Sequence, residues 1–202
     1  MIRYSSYLLT GPPGSGKGTQ GKVLGNVPRF FHFACGEAFR SLDTRTPLGQ
    51  RFIEYSSKGM LVPDDLTIEL WRTKIDAQVG AGLFKPDIDH LVLDGIPRNL
   101  NQARLMEHLI DVKRVFQFVG TDRPELVRRL RKRAIKDNRL DDANESVINE
   151  RLDTYDRETR PVLDFYNGRV VQIDASQSPV GVLHYIVNAI IESGGATTNK
   201  HL

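Results

Sequence analysis

Cysteine is nearly absent from the 202-residue sequence, in which Cys35 is the only one. A single thiol cannot close an internal disulfide, and it excludes a structural zinc site built on several cysteine ligands. Long apolar runs are missing too, and none approaches the roughly 20 residues that a membrane-spanning helix needs. With 40% hydrophobic and 26% charged residues, the chain is predicted to be an ordinary soluble protein of the cytoplasm without a membrane partner.

A large excess of one charge is also missing, since the formal net charge is +3. Arginine nevertheless outnumbers lysine by 19 to 9, and nine of the arginines lie in residues 123–160 together with nine acidic residues. A nucleic-acid groove usually carries less balanced charge, so we expect no nucleic-acid partner. Because the planar guanidinium grips phosphate oxygens in pairs, the arginine surplus indicates phosphate binding of another kind.

Short apolar segments alternate with helical patterns along the chain, without an internal repeat. The segments are residues 4–10, 29–34, 90–94, 114–120 and 169–174. Alternation of this kind predicts an α/β fold, in which a parallel sheet is covered by helices on both faces.

Two intervals between the predicted strands are too long to be simple crossovers. Residues 36–86 have the pattern of several helices, and residues 134–145 form a polar segment between two arginine-bearing helices. Both are predicted to be insertions over the ligand-binding edge of the sheet. The length fits one domain over residues 1–202. We expect a core of residues 1–35, 87–133 and 146–192 and a disordered tail at 193–202.

The segment GPPGSGKGTQ, residues 11–20, joins the first predicted strand to a helix. Its glycines allow the backbone N–H groups to converge on an anion at the start of that helix, and Lys17 adds a full positive charge. A common phosphate-binding loop continues with Ser or Thr after the lysine, whereas here Gly18 follows and Thr19 comes one place later. A glycine-rich turn with a solvated lysine is the alternative, but the spacing and the strand-loop-helix setting favour a nucleotide phosphate.

A second motif, DGIPR at residues 94–98, follows the third predicted strand. Enzymes with a phosphate-binding loop place a carboxylate there to orient magnesium or its waters, so Asp94 is a candidate, with a helix cap as the alternative. Together with the phosphate-binding loop and the segment GEAFR at 36–40, this motif resembles the adenylate kinase family of nucleoside monophosphate kinases. The resemblance covers residues 4–190.

The resemblance implies a three-layer P-loop NTPase fold with a five-stranded parallel sheet and helices on both faces. Residues 36–86 match the helical insertion that binds the monophosphate in that family, and residues 134–145 match a lid over ATP. This lid is short and lacks cysteine, so it is similar to the short-lid members rather than to the zinc-carrying ones. The implied ligands are ATP and AMP, the implied cofactor is Mg²⁺ as MgATP without zinc, and a monomer is expected.

The resemblance also assigns individual site residues. The catalytic residues would be Lys17, Arg98, Arg133, Arg139 and Arg151. The ATP site would contain Gly14, Ser15, Gly16, Lys17, Gly18, Thr19, Arg129, Arg133 and Gln177. The AMP site would contain Cys35, Arg40, Val62, Gly95, Arg98, Gln102, Arg139 and Arg151. Asp94 would hold magnesium through water, Glu37 is a further candidate for that role, and Asp141 and Asp142 match an acidic pair of the lid.

The chemistry explains why so many of these residues are positively charged. Phosphoryl transfer spreads negative charge over the equatorial oxygens, so catalysis consists of positioning and charge stabilisation. A monophosphate is itself the nucleophile and is already ionised, so no general base is nominated and the histidines are interpreted as structural. A nucleotide-binding regulator without turnover is a different class of function, and the intact set of catalytic residues argues against it.

Four positions depart from the adenylate kinase pattern and bear on the choice of monophosphate: Cys35, Glu37, Ile96 and Asn99. The Gly-Glu pair and the Asn after Pro-Arg resemble the uridylate-cytidylate kinases of the same family. Gln102, in contrast, matches the glutamine that reads adenine, where the pyrimidine enzymes have Asn. Since that amide would touch the group that differs between substrates, we predict AMP rather than UMP or CMP as the acceptor.

Overall fold

The structure is a computed structural model that describes residues 3–137, 139, 142 and 144–194. In this part of the chain, five strands form one sheet. They are β1 (Tyr4–Thr10), β2 (Phe30–Ala34), β3 (His90–Asp94), β4 (Ile110–Val119) and β5 (Val170–Asp174). The order is β2-β3-β1-β4-β5, and each neighbouring pair is parallel, so the predicted fold class is confirmed.

Helices occupy most of the chain between the strands. Their bounds are α1 (Lys17–Leu24), α2 (Cys35–Arg40), α3 (Pro47–Ser56), α4 (Asp64–Gly80), α5 (Leu100–Met106), α6 (Arg123–Asp137), α7 (Glu145–Thr154), α8 (Val162–Phe165) and α9 (Pro179–Glu192). A π-helical turn, Tyr155–Thr159, follows α7 directly. None of the helices in the described ranges is long and apolar enough to cross a membrane.

Alternation along β1 produces the two apolar layers that flank the sheet. Successive side chains of a strand point to opposite faces. Leu8 packs with Trp71 of α4, whereas Tyr7 and Leu9 belong to a separate cluster that includes Ile186 of α9. The sheet is therefore covered on both faces, which gives the three-layer arrangement that the resemblance implied.

The central position of β1 places the phosphate-binding loop beside Asp94. Leu9 near the end of β1 is in register with Asp94 at the end of β3. In a parallel sheet these carboxyl ends lie at the same edge, which is where α/β proteins bind ligands. The loop after β1 and the motif after β3 therefore share one edge, although about 80 residues separate them in sequence.

Two boundaries differ by more than one residue from the sequence-based expectation. β4 begins at Ile110 rather than at residue 114, because Ile110 and Val112 are buried while Asp111 and Lys113 pair with each other at 2.6 Å. The charged residues concealed the start of the strand, where buried and half-buried residues alternate up to a register shift against β1 that follows Val112. In addition, α6 continues to Asp137 and so includes the first four residues of the predicted lid. Residues 138, 140, 141 and 143 of that segment and the predicted tail beyond 194 lie outside the described residues.

Candidate active site

A cleft of about 870 Å³ opens at the carboxyl edge of the sheet, above β1 and β3. Residues predicted for the ATP site, the AMP site and magnesium all line it, although they come from widely separated parts of the chain. They are Gly14, Ser15, Gly16, Lys17, Gly18, Thr19, Cys35, Glu37, Arg40, Val62, Asp94, Gly95, Arg98, Gln102, Arg129, Arg133, Arg139, Arg151 and Gln177. The fold thus brings the whole predicted set together, while their individual roles stay predictions.

The start of α1 is built to receive an anion. Its N-cap residue, Gly16, has a φ of 97°, a left-handed conformation that glycine adopts without strain. No side chain caps the helix at this end, and a Cβ on Gly16 would meet no atom within 4 Å. The first N–H groups of α1 therefore face the cleft with the positive end of the helix dipole behind them.

Lys17 folds back over the loop that precedes it. Its Nζ donates hydrogen bonds to the carbonyl oxygens of Gly11 at 2.7 Å and Pro12 at 2.9 Å. Because these acceptors are loop carbonyls, the ammonium group is held beside the N–H groups of α1. A phosphate bound at this helix end would meet both kinds of donor.

The surroundings of Lys17 lower its pKa to about 8. Burial of the ammonium group is the largest cause, since the protein around it removes water from the charged form. Asp94 opposes the shift, and further positive charge adds to it from Arg98, Arg133 and Arg151. This concentration of like charge is unfavourable unless an anion joins it, which is the electrostatic character of a phosphate site.

Asp142 lies between two of the predicted catalytic arginines. Its side chain has no exposed area, and its Oδ2 accepts a hydrogen bond from Nε of Arg133 at 2.7 Å. The other oxygen, Oδ1, accepts from Nη1 of Arg151. One carboxylate therefore fixes the relative position of two guanidinium groups that come from α6 and α7.

The other predicted phosphate ligands are also held by local contacts. Nε of Arg98 donates to the carbonyl oxygen of Gly95 at 2.7 Å, which folds the guanidinium over the end of β3. On α6, Arg129 donates to Glu125 at 2.8 Å, one helical turn away. Nε of Arg139 lies 3.6 Å from the Asp137 carboxylate.

Gln102 lies in the first turn of α5 and is almost completely buried, with 1% of its surface exposed. Its Oε1 accepts from the backbone N–H of Arg98 at 2.7 Å, and its Nε2 donates to Asp64 at 2.8 Å. The residue before α5, Asn99, caps the helix by accepting from the backbone N–H of Gln102 at 2.8 Å. Asn99 therefore has a local structural reason to be Asn, independent of the acceptor base.

The residues at the other three positions that depart from the family pattern are either buried or paired with a charged side chain. Cys35 has 3% exposure at the cleft wall, and burial raises the pKa of its thiol to about 11, so it is neutral. Ile96 belongs to the apolar cluster beneath α4. Glu37 is paired with Lys22 at 2.8 Å, so this carboxylate already has a cation.

Comparison with known proteins agrees with this geometry. A family model described as Adenylate kinase matches residues 9–171. The chain is 38% identical over 198 residues to an Adenylate kinase of Cyanothece sp., covering 93% of this chain and 96% of the relative. It is 36% identical over 174 residues to an Adenylate kinase of Corynebacterium urealyticum, covering 85% and 91%. The chain belongs to the adenylate kinase family.

Membership in the adenylate kinase family confirms the resemblance and the predicted class of enzyme, a nucleoside monophosphate kinase that transfers a phosphoryl group. The cleft is lined by residues predicted for two nucleotide sites. None of the residues that line the cleft in the described part of the chain is a histidine.

Sequence reasoning missed two residues of the cleft and one residue that contacts a cleft side chain from behind. Tyr155 and Thr159 line the cleft from the π-helical turn, and the hydroxyl of Thr159 donates to the carbonyl oxygen of Arg98 at 2.7 Å. Tyr155 and Thr159 are four residues apart in a helical pattern, so they lie on the same face of a helix. That spacing was the feature of the sequence that could have identified them. Asp64, which binds the Gln102 amide, gave no such signal because 38 residues separate the two.

Proposed function

We propose that the chain transfers the terminal phosphoryl group of ATP, bound as its magnesium complex, to AMP and produces two molecules of ADP. One observation carries this proposal: the residues predicted for a donor site and for an acceptor site line the same cleft, with Lys17 and the arginines among them. Such an arrangement aligns two phosphates and offsets the charge that develops between them.

On the donor side, the N-terminus of α1 and Lys17 would hold the ATP phosphates, and Arg133 would contact the transferring group. Asp94 fits a magnesium ion bound through water, because a Cβ on Gly18 would lie 3.3 Å from its Oδ2 and glycine leaves that oxygen uncovered. Magnesium bound there would supply positive charge that offsets the charge of the phosphates. Glu37 is the weaker candidate, since Lys22 already pairs with it.

On the acceptor side, Arg40 and Arg98 would grip the AMP phosphate, and Gln102 would read the base beside Cys35 and Val62. AMP is favoured over UMP and CMP for two reasons. The relatives named above are Adenylate kinases. In addition, Asn99, which resembled the pyrimidine enzymes, serves as the cap of α5.

Turnover with a panel of acceptors tests this proposal. We expect ADP from ATP and AMP with magnesium, and a far lower efficiency with UMP or CMP. Lys17→Ala should lower the rate by about 100-fold or more while the fold is kept. Lys132→Ala, an exposed lysine of α6 that does not line the cleft, is the control and should behave like the wild type. A preference for UMP or CMP would contradict the acceptor, and a folded protein without turnover would indicate a nucleotide-binding regulator.

The functional unit is proposed to be the monomer, because every residue assigned to the two nucleotide sites comes from one chain. Activity per chain should therefore stay constant on dilution, and light scattering should give the mass of one 22.8 kDa chain. Activity that falls with dilution would contradict this.

A further inference from the structure

Asp64 is the centre of a group of amides beside the predicted base site. In the described chain, three side-chain amides donate to its carboxylate at 2.8 Å each: Asn99 and Gln102 to Oδ1, and Asn101 to Oδ2. Asp64 is the first residue of α4, whereas the amides lie at the start of α5. None of the roles assigned above to the nucleotide and magnesium sites uses this carboxylate.

The orientation of the Gln102 amide follows from its two partners. A backbone N–H can only donate, so the atom that faces Arg98 must be the oxygen, Oε1. A carboxylate can only accept, so the atom that faces Asp64 must be the nitrogen, Nε2. Both contacts require the same orientation, and a flipped amide would lose both hydrogen bonds.

We propose that Asp64 is a positioning residue that selects the acceptor base through Gln102. With both contacts made, the amide keeps one N–H and one lone pair for a ligand. An adenine edge offers the complementary groups, a ring nitrogen that accepts and an amine that donates. A 6-oxopurine such as that of IMP offers the reverse, a ring N–H and a carbonyl oxygen, and the amide cannot turn to meet it without breaking the contact with Asp64.

The inference rests on the proposed function, because it assumes that Gln102 faces the acceptor base. It predicts an effect on base selection beyond the effect on stability that any contact between α4 and α5 would have. AMP and IMP form a clean pair for this purpose, since they differ only in the groups at and next to position 6. A site that leaves buried polar groups unpaired rejects the wrong base strongly.

The experiment compares D64A, D64N and D65A by calorimetric binding of AMP, IMP and ATP. The D65A control is closely matched, because Asp65 is the next residue in the first turn of α4 and is exposed. We expect D64A to lose about 10-fold or more of the AMP over IMP preference, with ATP binding changed less than about twofold. D64N keeps one oxygen for Asn99 and Gln102, so it should recover most of the preference, and D65A should match the wild type.

A double variant separates positioning from general damage to the fold. If Asp64 acts through Gln102, adding D64A to Q102A should not lower the AMP over IMP preference further, because the oriented amide is already gone. The proposal would be overturned if D64A lowered the AMP over IMP preference equally in the wild type and in Q102A. It would also be overturned if D64A and D65A had the same AMP over IMP preference. Thermal unfolding of each variant shows whether it is folded.

Different measurements test the role of Asp64 and the proposed reaction, so one can fail while the other holds. Binding ratios decide the role of Asp64 whether or not turnover occurs. The acceptor panel on the wild type decides the reaction, and it does not depend on any Asp64 variant.

Discussion

Arg133 donates from Nε to a carboxylate oxygen of Asp142 at 2.7 Å, and its Nη2 lies 2.6 Å from the same oxygen. Asp142 has no exposed side-chain surface and also accepts from Arg151. A single negative charge thus offsets the repulsion between two guanidinium groups that are both predicted to contact the transferring phosphoryl group. Arginine pairs of this kind are pre-organised for phosphate before the phosphate binds.

Asp142→Asn should lower the stability of the protein and increase the stabilisation that bound nucleotide provides. The change keeps the shape but removes the charge, so we expect a loss of about 1–3 kcal/mol in the free energy of unfolding measured with urea. ATP phosphates can replace the carboxylate as partner of both arginines, so saturating ATP should raise the melting temperature more than in the wild type. Asp153→Asn is the control, because its pair with Arg123 is half exposed. Equal losses in the two variants would contradict the role of Asp142.

Binding of ATP at pH 8 should take up a proton at Lys17. With a pKa of about 8, about half of the folded molecules carry a neutral Lys17 at that pH. Phosphate oxygens favour the charged form and raise the pKa, so about half a proton is bound per ATP. Near pH 6 the lysine is already charged and this uptake should vanish.

Calorimetry in buffers of different ionisation enthalpy measures that uptake. Lys17→Met keeps the length of the side chain without a titrating group, and subtracting its value removes the contribution of ATP itself. The same uptake in Lys17→Met and in the wild type would show that another group binds the proton.

Thr159→Val should weaken acceptor binding without affecting the donor. Thr159 is 8% exposed, and its hydroxyl is the donor to the carbonyl oxygen of Arg98, so valine leaves that oxygen without this partner. We expect KM for AMP to rise by about 3- to 10-fold and KM for ATP to stay within about twofold. Thr159→Ser keeps the hydroxyl, so its KM for AMP should lie close to the wild-type value. A parallel rise in both KM values would instead indicate general loosening of the cleft.

Gly21→Ala should destabilise the protein although it is a favourable helix substitution by propensity. A Cβ at this position would overlap the imidazole ring of His32 on β2, so α1 packs against that strand only when residue 21 is glycine. We expect a loss of about 1–3 kcal/mol, measured by urea denaturation. Adding His32→Ala should recover part of it, and Gly80→Ala, where a Cβ meets no atom within 4 Å, should cause no loss. An unchanged midpoint for Gly21→Ala would mean that α1 and β2 adjust freely.

Local patterns were sufficient for much of the fold. The apolar runs that became β1 and β3 and the glycine-rich loop before Lys17 are readable because a few neighbouring residues determine their conformation. The start of β4 was missed, since Asp111 and Lys113 interrupt the apolar run while the buried residues still alternate. Contiguous apolar character was thus a poorer guide there than period-two spacing.

The sequence predicted the residues of the site only where those residues belong to family motifs. The partnership of Asp64 with Gln102 joins two helices that are distant in sequence, and no local pattern reveals it. Asn99 is a different case. It was interpreted as a hint of pyrimidine specificity, and the structure adds a local role, because Asn three residues before Gln102 caps α5, an arrangement that the sequence already displayed.

The strand order has a consequence for synthesis on the ribosome. β1 is made first, yet its neighbours in the sheet are β3 and β4, so its backbone has no sheet partner until residue 94 has been added. At translation rates of about 5–20 residues per second, the delay after residue 10 is roughly 4–17 s. During that interval both edges of an apolar strand are open to other nascent chains, a risk that chaperones counter. The loop predicted to bind phosphate therefore exists as a chain segment for seconds before the sheet can shape it.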